Sequence, residues 1–309
     1  TSVGYQAGYA NTSALNTFIG ASAGRYSTTG GYSTAVGASA LSSNSGGSDG
    51  DHAVAVGYAA LYSNQNGDYN TALGSQALYS NTTASHNTAV GYTAGYSNTT
   101  GTENTAVGSF ALYTNSTGNY NVALGRQALN ANTTGSRSIA IGYTAGYSNT
   151  TGSINAIGDG ALYSNTTGAG NVALGGGNNT ALYPSLYANT TGNYNTAVGM
   201  GSLGQNTTAS DNTALGYQSA YSNTTGADNT AVGYLSLYSN QTGSNSVAVG
   251  RRALYSATVD GNTAVGHRAL DGTSTGTGNV AVGYNAAYTN TTGASNTALG
   301  YQSLQANTT

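Results

Sequence analysis

Asn104-Thr105-Ala106-Val107-Gly108-Ser109-Phe110-Ala111-Leu112-Tyr113-Thr114-Asn115-Ser116-Thr117-Gly118 is one unit of a pattern that fills the chain. The glycine closing its Ala-Val/Leu-Gly triplet recurs at Gly4, Gly20, Gly37, Gly57, Gly74, Gly91, Gly108, Gly125, Gly142, Gly158, Gly175, Gly199, Gly216, Gly233, Gly250, Gly266, Gly283 and Gly300. Of the seventeen steps between them, twelve equal seventeen, three equal sixteen, one equals twenty and one twenty-four. A period this short and strict excludes an ordinary globular enzyme. It describes one small unit stacked many times, each copy touching only its neighbours.

Positions within a unit are counted from that glycine as zero. Position −1 is Val, Leu or Ile throughout, −2 is nearly always Ala, and −3 is Thr or a β-branched aliphatic such as Val122, Ile139, Val172, Val247 or Val280. Strand side chains alternate faces, so −3 and −1 share one face and −2 takes the other. The larger pair is expected inside the coil. Glycine zero ends the strand and lets the chain bend. Ala at +3 and Leu at +4 read as inward residues of a second short strand. The Asn-Thr-Thr-Gly that follows Tyr at +5 reads as a turn. Position −5 is chemically free (Tyr69, His86, Glu103, Tyr120, Arg137, Asp228), which marks it as solvent-facing.

Two short strands and two turns in so short a unit are too little for a helix pair or a βαβ unit. They suit one coil of a parallel β-solenoid, or β-roll. About eighteen such coils, stacked at ~4.8 Å, would make an all-β rod roughly 85 Å long. Asn at −4 recurs in twelve of the seventeen units that have this position, so a stacked amide ladder is expected there. The array runs from 1 to 309 as a single domain. It opens and closes inside a repeat, which reads as a segment of a longer fibre. The two long gaps predict insert loops near 44–52 and 176–186, the second carrying the only proline, Pro184.

Leu, Ile, Val and Phe total 43 of 309 residues, a thin supply for a core. Twenty of the 26 tyrosines stand at just two positions, +1 and +5. A lone rod would show them as exposed aromatic stripes, which are uncommon on monomers. At least one stripe is therefore expected to meet another chain or a sugar. The candidates at +5 are Tyr62, Tyr79, Tyr96, Tyr113, Tyr147, Tyr163, Tyr187, Tyr221, Tyr238, Tyr255 and Tyr288.

The units Ser138-Ile139-Ala140-Ile141-Gly142 and Ser246-Val247-Ala248-Val249-Gly250 resemble the head repeats of trimeric autotransporter adhesins. The consensus Asn-Thr-Ala-Val-Gly-Tyr-x-Ala-Leu-Tyr-Ser-Asn-Thr-Thr-Gly also resembles repeats of bacterial and phage tail-fibre-domain proteins. The resemblance covers the whole chain. It implies a left-handed parallel β-roll, assembly with copies of itself as a trimer or filament, and an extracellular or cell-surface setting.

No catalytic or cofactor chemistry emerges. The nine acidic residues are scattered, and calcium-binding rolls need an Asp in every repeat. His52, His86 and His267 lack metal-ligand spacing. Gly175-Gly176-Gly177 lacks the lysine and helix of a phosphate loop. There is no cysteine and no lysine, and net charge is −3. A nucleic-acid groove would need a basic stripe, and a membrane span ~18 consecutive apolar residues; the sequence has neither. The expectation is therefore no enzyme, no metal, no cofactor, no nucleic acid and no membrane insertion.

One further motif repeats. Asn-x-Ser/Thr stands at the same turn at Asn11, Asn81, Asn98, Asn115, Asn132, Asn149, Asn165, Asn189, Asn206, Asn223, Asn240, Asn290 and Asn307, with Asn178 in addition. In a secreted protein such sites accept N-glycans; in any protein Asn and Thr also form turns. Three functions compete. The leading one is a structural subunit of an extracellular fibre or adhesin shaft. The second is carbohydrate binding through the tyrosines. The third is ice binding by threonine arrays, disfavoured because the turn threonines are adjacent and so point to opposite faces.

Overall fold

A computed structural model describes residues 1–13, 15–28, 31–43, 52–177, 183–273 and 275–308. The chain is all-β, a parallel β-solenoid with no helix among the described residues. Equivalent residues of most successive coils, such as Asn81 and Asn98, stand 17 positions apart. The chain divides into two compact units, Thr1–Ser153 and Ile154–Thr309.

In the first unit the strands are β1 (Ser2–Val3), β2 (Thr17–Ile19), β3 (Thr34–Val36), β4 (Val54–Val56), β5 (Thr71–Leu73), β6 (Thr88–Val90), β7 (Thr105–Val107), β8 (Val122–Leu124) and β9 (Ile139–Ile141). In the second they are β10 (Ile154–Ile157), β11 (Asn171–Leu174), β12 (Thr196–Val198), β13 (Thr213–Leu215), β14 (Thr230–Val232), β15 (Val247–Val249), β16 (Thr263–Val265), β17 (Val280–Val282) and β18 (Thr297–Leu299). Within each unit every strand pairs in parallel with the strand of the next coil, like on like. Thr71, Thr88 and Thr105 align, as do Ala72, Ala89 and Ala106, and Leu73, Val90 and Val107. The second unit repeats this with Thr196, Thr213 and Thr230.

The face assignment read from the sequence is reversed. Ala at −2 lies inside: Ala72 and Ala89 are 0% exposed, whereas Leu73 on the neighbouring position is 46% exposed. Strand alternation fixes only which residues share a face. The interior is too narrow for large side chains on the strand, because it is filled from across the coil by Ala at +3 and Leu at +4. Ala77, Ala111, Leu61, Leu112 and Leu129 in the first unit, and Leu162, Leu203, Leu237 and Leu254 in the second, are all buried. The core is therefore Ala −2, Ala +3 and Leu +4, and the aliphatics at −3 and −1 look outward.

The expected second strand is absent among the described residues. From zero to +6 the chain forms turns in which +2 and +4 adopt left-handed backbone: Gln76 (φ 57°), Leu78 (φ 49°), Phe110 (φ 59°) and Leu112 (φ 50°). Such a conformation costs an L-residue about 1–2 kcal/mol. Burying a leucine returns about 1.5–3 kcal/mol, so the leucine at +4 holds its own strained backbone in place. The segment is still laddered to its neighbours. Gly74 and Gln76 donate to Val56 and Tyr58 of the coil before, both at 2.8 Å, while Leu78 and Ser80 donate to Ala94 and Tyr96 of the coil after, both at 3.0 Å.

Glycine zero does more than bend the chain. At Gly91, φ is +132°, and a Cβ would stand 2.8 Å from the carbonyl carbon and oxygen of Gly108. The coils approach too closely here for any side chain. One coil has a modified core. Phe18 replaces Ala at −2 and is fully buried, while the facing +4 positions of its own and the preceding coil are Gly24 and Gly8 instead of Leu. A Cβ on either glycine would fall inside 3.0 Å of the Phe18 ring. One large ring occupies the room of two leucine side chains.

Of the expected insert loops, positions 44–51 and 178–182 lie outside the described residues, and with them Asp49, Asp51 and Asn178.

Candidate functional site

The Asn-x-Ser/Thr turns form the interior amide ladder of the coil. Asn at +7 donates from Nδ2 to the Oδ1 of the equivalent Asn one coil earlier. Along the first unit these bonds link Asn81 to Asn64, Asn98 to Asn81, Asn115 to Asn98, Asn132 to Asn115 and Asn149 to Asn132, at 2.8, 3.0, 2.8, 2.8 and 3.1 Å. In the second unit they link Asn189 to Asn165, Asn206 to Asn189, Asn223 to Asn206 and Asn240 to Asn223, at 2.8, 2.7, 2.9 and 3.0 Å. The other Nδ2 hydrogen goes to the carbonyl three residues on, as from Asn98 to Gly101 at 2.9 Å. All these residues are buried, and so is Asn290.

The structure thus places most of the possible glycan acceptors in the coil interior, where the fold uses both Nδ2 hydrogens of residues such as Asn98. Asn64, followed by Gln65-Asn66, joins the ladder without being a sequon, so the ladder selects Asn and not the acceptor motif. Asn11 is half-buried, with its Nδ2 donated to the Ser13 carbonyl at 2.9 Å. Asn307 is also half-buried.

The ladder expected at −4 is present, in a different form. Asn70 Oδ1 accepts the backbone N–H of Asn87 at 2.9 Å, and its Nδ2 donates to the Ala84 carbonyl of the next coil at 2.7 Å. The same pattern runs through Asn87 and Asn104 and, in the second unit, Asn212 and Asn229. Coils with Asn at both −4 and +7 thus bond to the adjacent coil through two buried amides, and unpaired amides there would each cost about 1–3 kcal/mol.

Outside, the tyrosines at +5 are half-buried and stack on one another. Ring centroids of Tyr62, Tyr79, Tyr96 and Tyr113 are successively 5.0, 5.1 and 5.3 Å apart, with planes within 4°, 7° and 17°. Tyr163 and Tyr187 stack at 5.2 Å; Tyr221, Tyr238 and Tyr255 follow at 5.6 and 5.2 Å. Tyr147 and Tyr288 are half-buried too. Ring faces in these columns are turned to their neighbours, leaving edges and hydroxyls to solvent. Burial first, and the neighbouring phenols second, push the hydroxyls of Tyr79 and Tyr238 above the usual phenol value.

At +5 of its coil Asp271 takes the tyrosine's place. Its nearly buried carboxylate meets Arg252 Nη2 at 3.1 Å and Arg268 Nε at 2.8 Å. Each guanidinium also lies over a flanking ring, Arg252 at 4.1 Å from the Tyr255 centroid and Arg268 at 4.9 Å from that of Tyr288. The hydrogen bond to Asp271 holds the Arg268 pKa above its usual value. A two-arginine clamp thus stands where the aromatic stack is interrupted.

A third column runs along −5, where Tyr32, His52, Tyr69 and His86 stack at 5.0, 4.9 and 5.1 Å. Its neighbour is Glu103, and a shallow open dip lies between His86 and Glu103. Among the described residues no group of three or more His, Cys, Asp or Glu could hold a metal ion, and no helix is long and apolar enough to cross a membrane.

The last surface is the outer face of the strands, the side that the sequence pattern assigns to the interior. Ile19, Leu73, Leu124 and Ile139 in the first unit, and Ile157, Leu174, Leu215, Val265 and Val280 in the second, are exposed aliphatics. The rows at −3 and −1 carry no charged residue in any strand. Tyrosines at +1, such as Tyr58, Tyr92, Tyr143 and Tyr234, stand exposed just beyond them. Comparison with known proteins returned no match: no protein-family model, no curated protein and no solved structure.

Proposed function

We propose that this chain is a structural subunit of an extracellular fibre or adhesin shaft, assembled from copies of itself through the outer faces of its strands. The observation that carries the reading is the uncharged outer face repeated strand after strand, with an aliphatic at −1 throughout and mostly Thr or an aliphatic at −3. Exposed apolar patches of such extent mark interaction sites, and interface centres are depleted of charge. The face is self-complementary, because a second copy brings no charge that burial would strand. The resemblance to adhesin and tail-fibre repeats supports the extracellular setting. Repetition spreads the contact along the chain, as a shaft requires.

Sedimentation and light scattering test it. Wild-type chain is expected to associate at micromolar concentration, and Leu73→Lys with Val90→Lys and Val107→Lys to remain monomeric with unchanged circular dichroism. A monodisperse wild-type monomer would refute the reading.

Carbohydrate binding is the second reading. Stacking at +5 covers the ring faces inside each run, so it rests on exposed rings at +1, notably Tyr58 (60% exposed) and Tyr92 (51%). Glycan-array binding abolished by Tyr58→Ala and Tyr92→Ala would favour it over the shaft.

A further inference from the structure

The long gap between Gly175 and Gly199 contains a repair to the tyrosine column. The coil of Gly199 has Gly204 where most others have tyrosine at +5. A Cβ on Gly204 would come within 3.0 Å of the Tyr221 ring. Into the vacancy comes Tyr183, from the inserted segment. Its ring stacks on Tyr187 at 4.9 Å with planes 4° apart, and lies 6.3 Å from Tyr221 at 18°. The rings therefore follow one another without a break, Tyr163, Tyr187, Tyr183, Tyr221, Tyr238, Tyr255. The first unit supplies a second run, Tyr62 to Tyr113. Packing of one coil does not require this continuity, since the coil of Gly125 has Asn130 at +5 and folds with its Leu129 fully buried.

We propose that the stacked tyrosines are a modification site: a one-electron oxidant acting on the folded chain joins ring neighbours of successive coils as dityrosine. Each of two phenols loses one electron to the oxidant and its hydroxyl proton to solvent. The two phenoxyl radicals form a carbon–carbon bond between their Cε atoms, the ring carbons ortho to the oxygen-bearing ones. Each bonded carbon then gives up its hydrogen as a proton while its oxygen takes one up. The pair loses two electrons and two protons. Hydrogen peroxide consumed by a peroxidase accepts both and becomes two waters; persulfate accepts the electrons and becomes two sulfates.

Three features favour these rings. Radical coupling between free phenols depends on encounter, and holding the partners adjacent makes it effectively unimolecular. Parallel neighbours let an oxidised ring exchange its hole with the next until two meet. The rings are half-exposed, so the hydroxyls reach solvent and the side chains can tilt on the fast timescale of surface rotamers to bring the reacting carbons together. The product would tie coil to coil covalently along the chain, independently of whether copies assemble.

The test is light-driven oxidation of dilute chain by a ruthenium tris-bipyridyl complex with persulfate, read by dityrosine fluorescence and mapping of cross-linked peptides. Within-chain links between coils are expected for Tyr62–Tyr79, Tyr79–Tyr96, Tyr163–Tyr187 and Tyr183–Tyr221. Chain unfolded in urea at the same concentration should give at least ~10-fold less. Tyr183→Phe keeps a ring in the stack but has no phenol. It should remove the Tyr183 links while leaving circular dichroism and the first-unit links unchanged. Equal yield from unfolded chain, links confined to the exposed tyrosines at +1 or to pairs between chains, or no dityrosine at all would each overturn the proposal.

Discussion

Asn98 shows how much a single residue carries. Its Nδ2 holds Asn81 Oδ1 and the Gly101 carbonyl, and its Oδ1 accepts from Asn115. Asn98→Ala removes three hydrogen bonds; the Gly101 carbonyl keeps Asn87 Nδ2, while Asn81 Oδ1 and one Asn115 Nδ2 hydrogen lose their ladder partner, at about 1–3 kcal/mol each. We expect a loss of about 2–5 kcal/mol in urea unfolding, with amide exchange accelerated first in the coils around 81–115. The importance of this residue was half legible. The constancy of Asn at +7 stands out beside the free variation at −5, but turn chemistry and glycan acceptance explain that constancy equally well in a sequence. Only the stacking of one coil on the next reveals an interior amide. Asp271 was less legible still, because its partners Arg252 and Arg268 come from two different coils. Asp271→Asn should lower the thermal midpoint, leaving two guanidiniums against one neutral amide, whereas Asp271→Tyr with Arg252→Gln and Arg268→Gln should restore the midpoint by continuing the stack.

Of the two strands expected in the coil, the repeated element, one is present, with its faces reversed, and the other is a run of turns. Period-two alternation assigns residues to two sides and leaves open which side is in; the answer lay in the left-handed turns at +2 and +4, which bring Leu across the interior and leave room only for Ala opposite. Leucine in left-handed backbone is disfavoured by local propensity, so no reading of local preference would place it there. Phe18 offers a test of this packing. Phe18→Ala should cost about 3–5 kcal/mol through the cavity it leaves. Gly24→Leu added to it should recover most of that loss. Gly24 has φ +56°, the backbone that Leu41 in the next coil already adopts at 51°. Gly24→Leu alone should destabilise, since its Cβ would meet the Phe18 ring at 2.5 Å. The tyrosine column makes a prediction about pH. With their phenol pKa values raised in the folded state, Tyr79 and Tyr238 contribute stability that is fully present below the ordinary phenol value of 10.0 and is lost as pH rises through the folded value. The thermal midpoint should fall on the alkaline side of that value, and Tyr79→Phe with Tyr238→Phe should flatten the fall.

At the scale of the whole chain, the period alone was enough to give parallel stacking in strict register, because each coil presents the next with a copy of itself. Neither the aromatic repair by Tyr183 nor the outer aliphatic face could be read, since both depend on where a side chain points. Within each unit, coils are joined to their neighbours by backbone ladders, two amide ladders and ring stacks, and stability is a sum of such neighbour terms. That arrangement has a mechanical consequence. A force applied to the chain ends loads the terminal coil alone, so coils should peel away singly, each release adding about 55 Å of extended chain. Single-molecule stretching should record a train of evenly spaced steps, with taller peaks where Asn and Tyr ladders are both complete. Tyrosines joined by oxidation would erase steps from the train, turning the number of missing increments into a count of the covalent rungs.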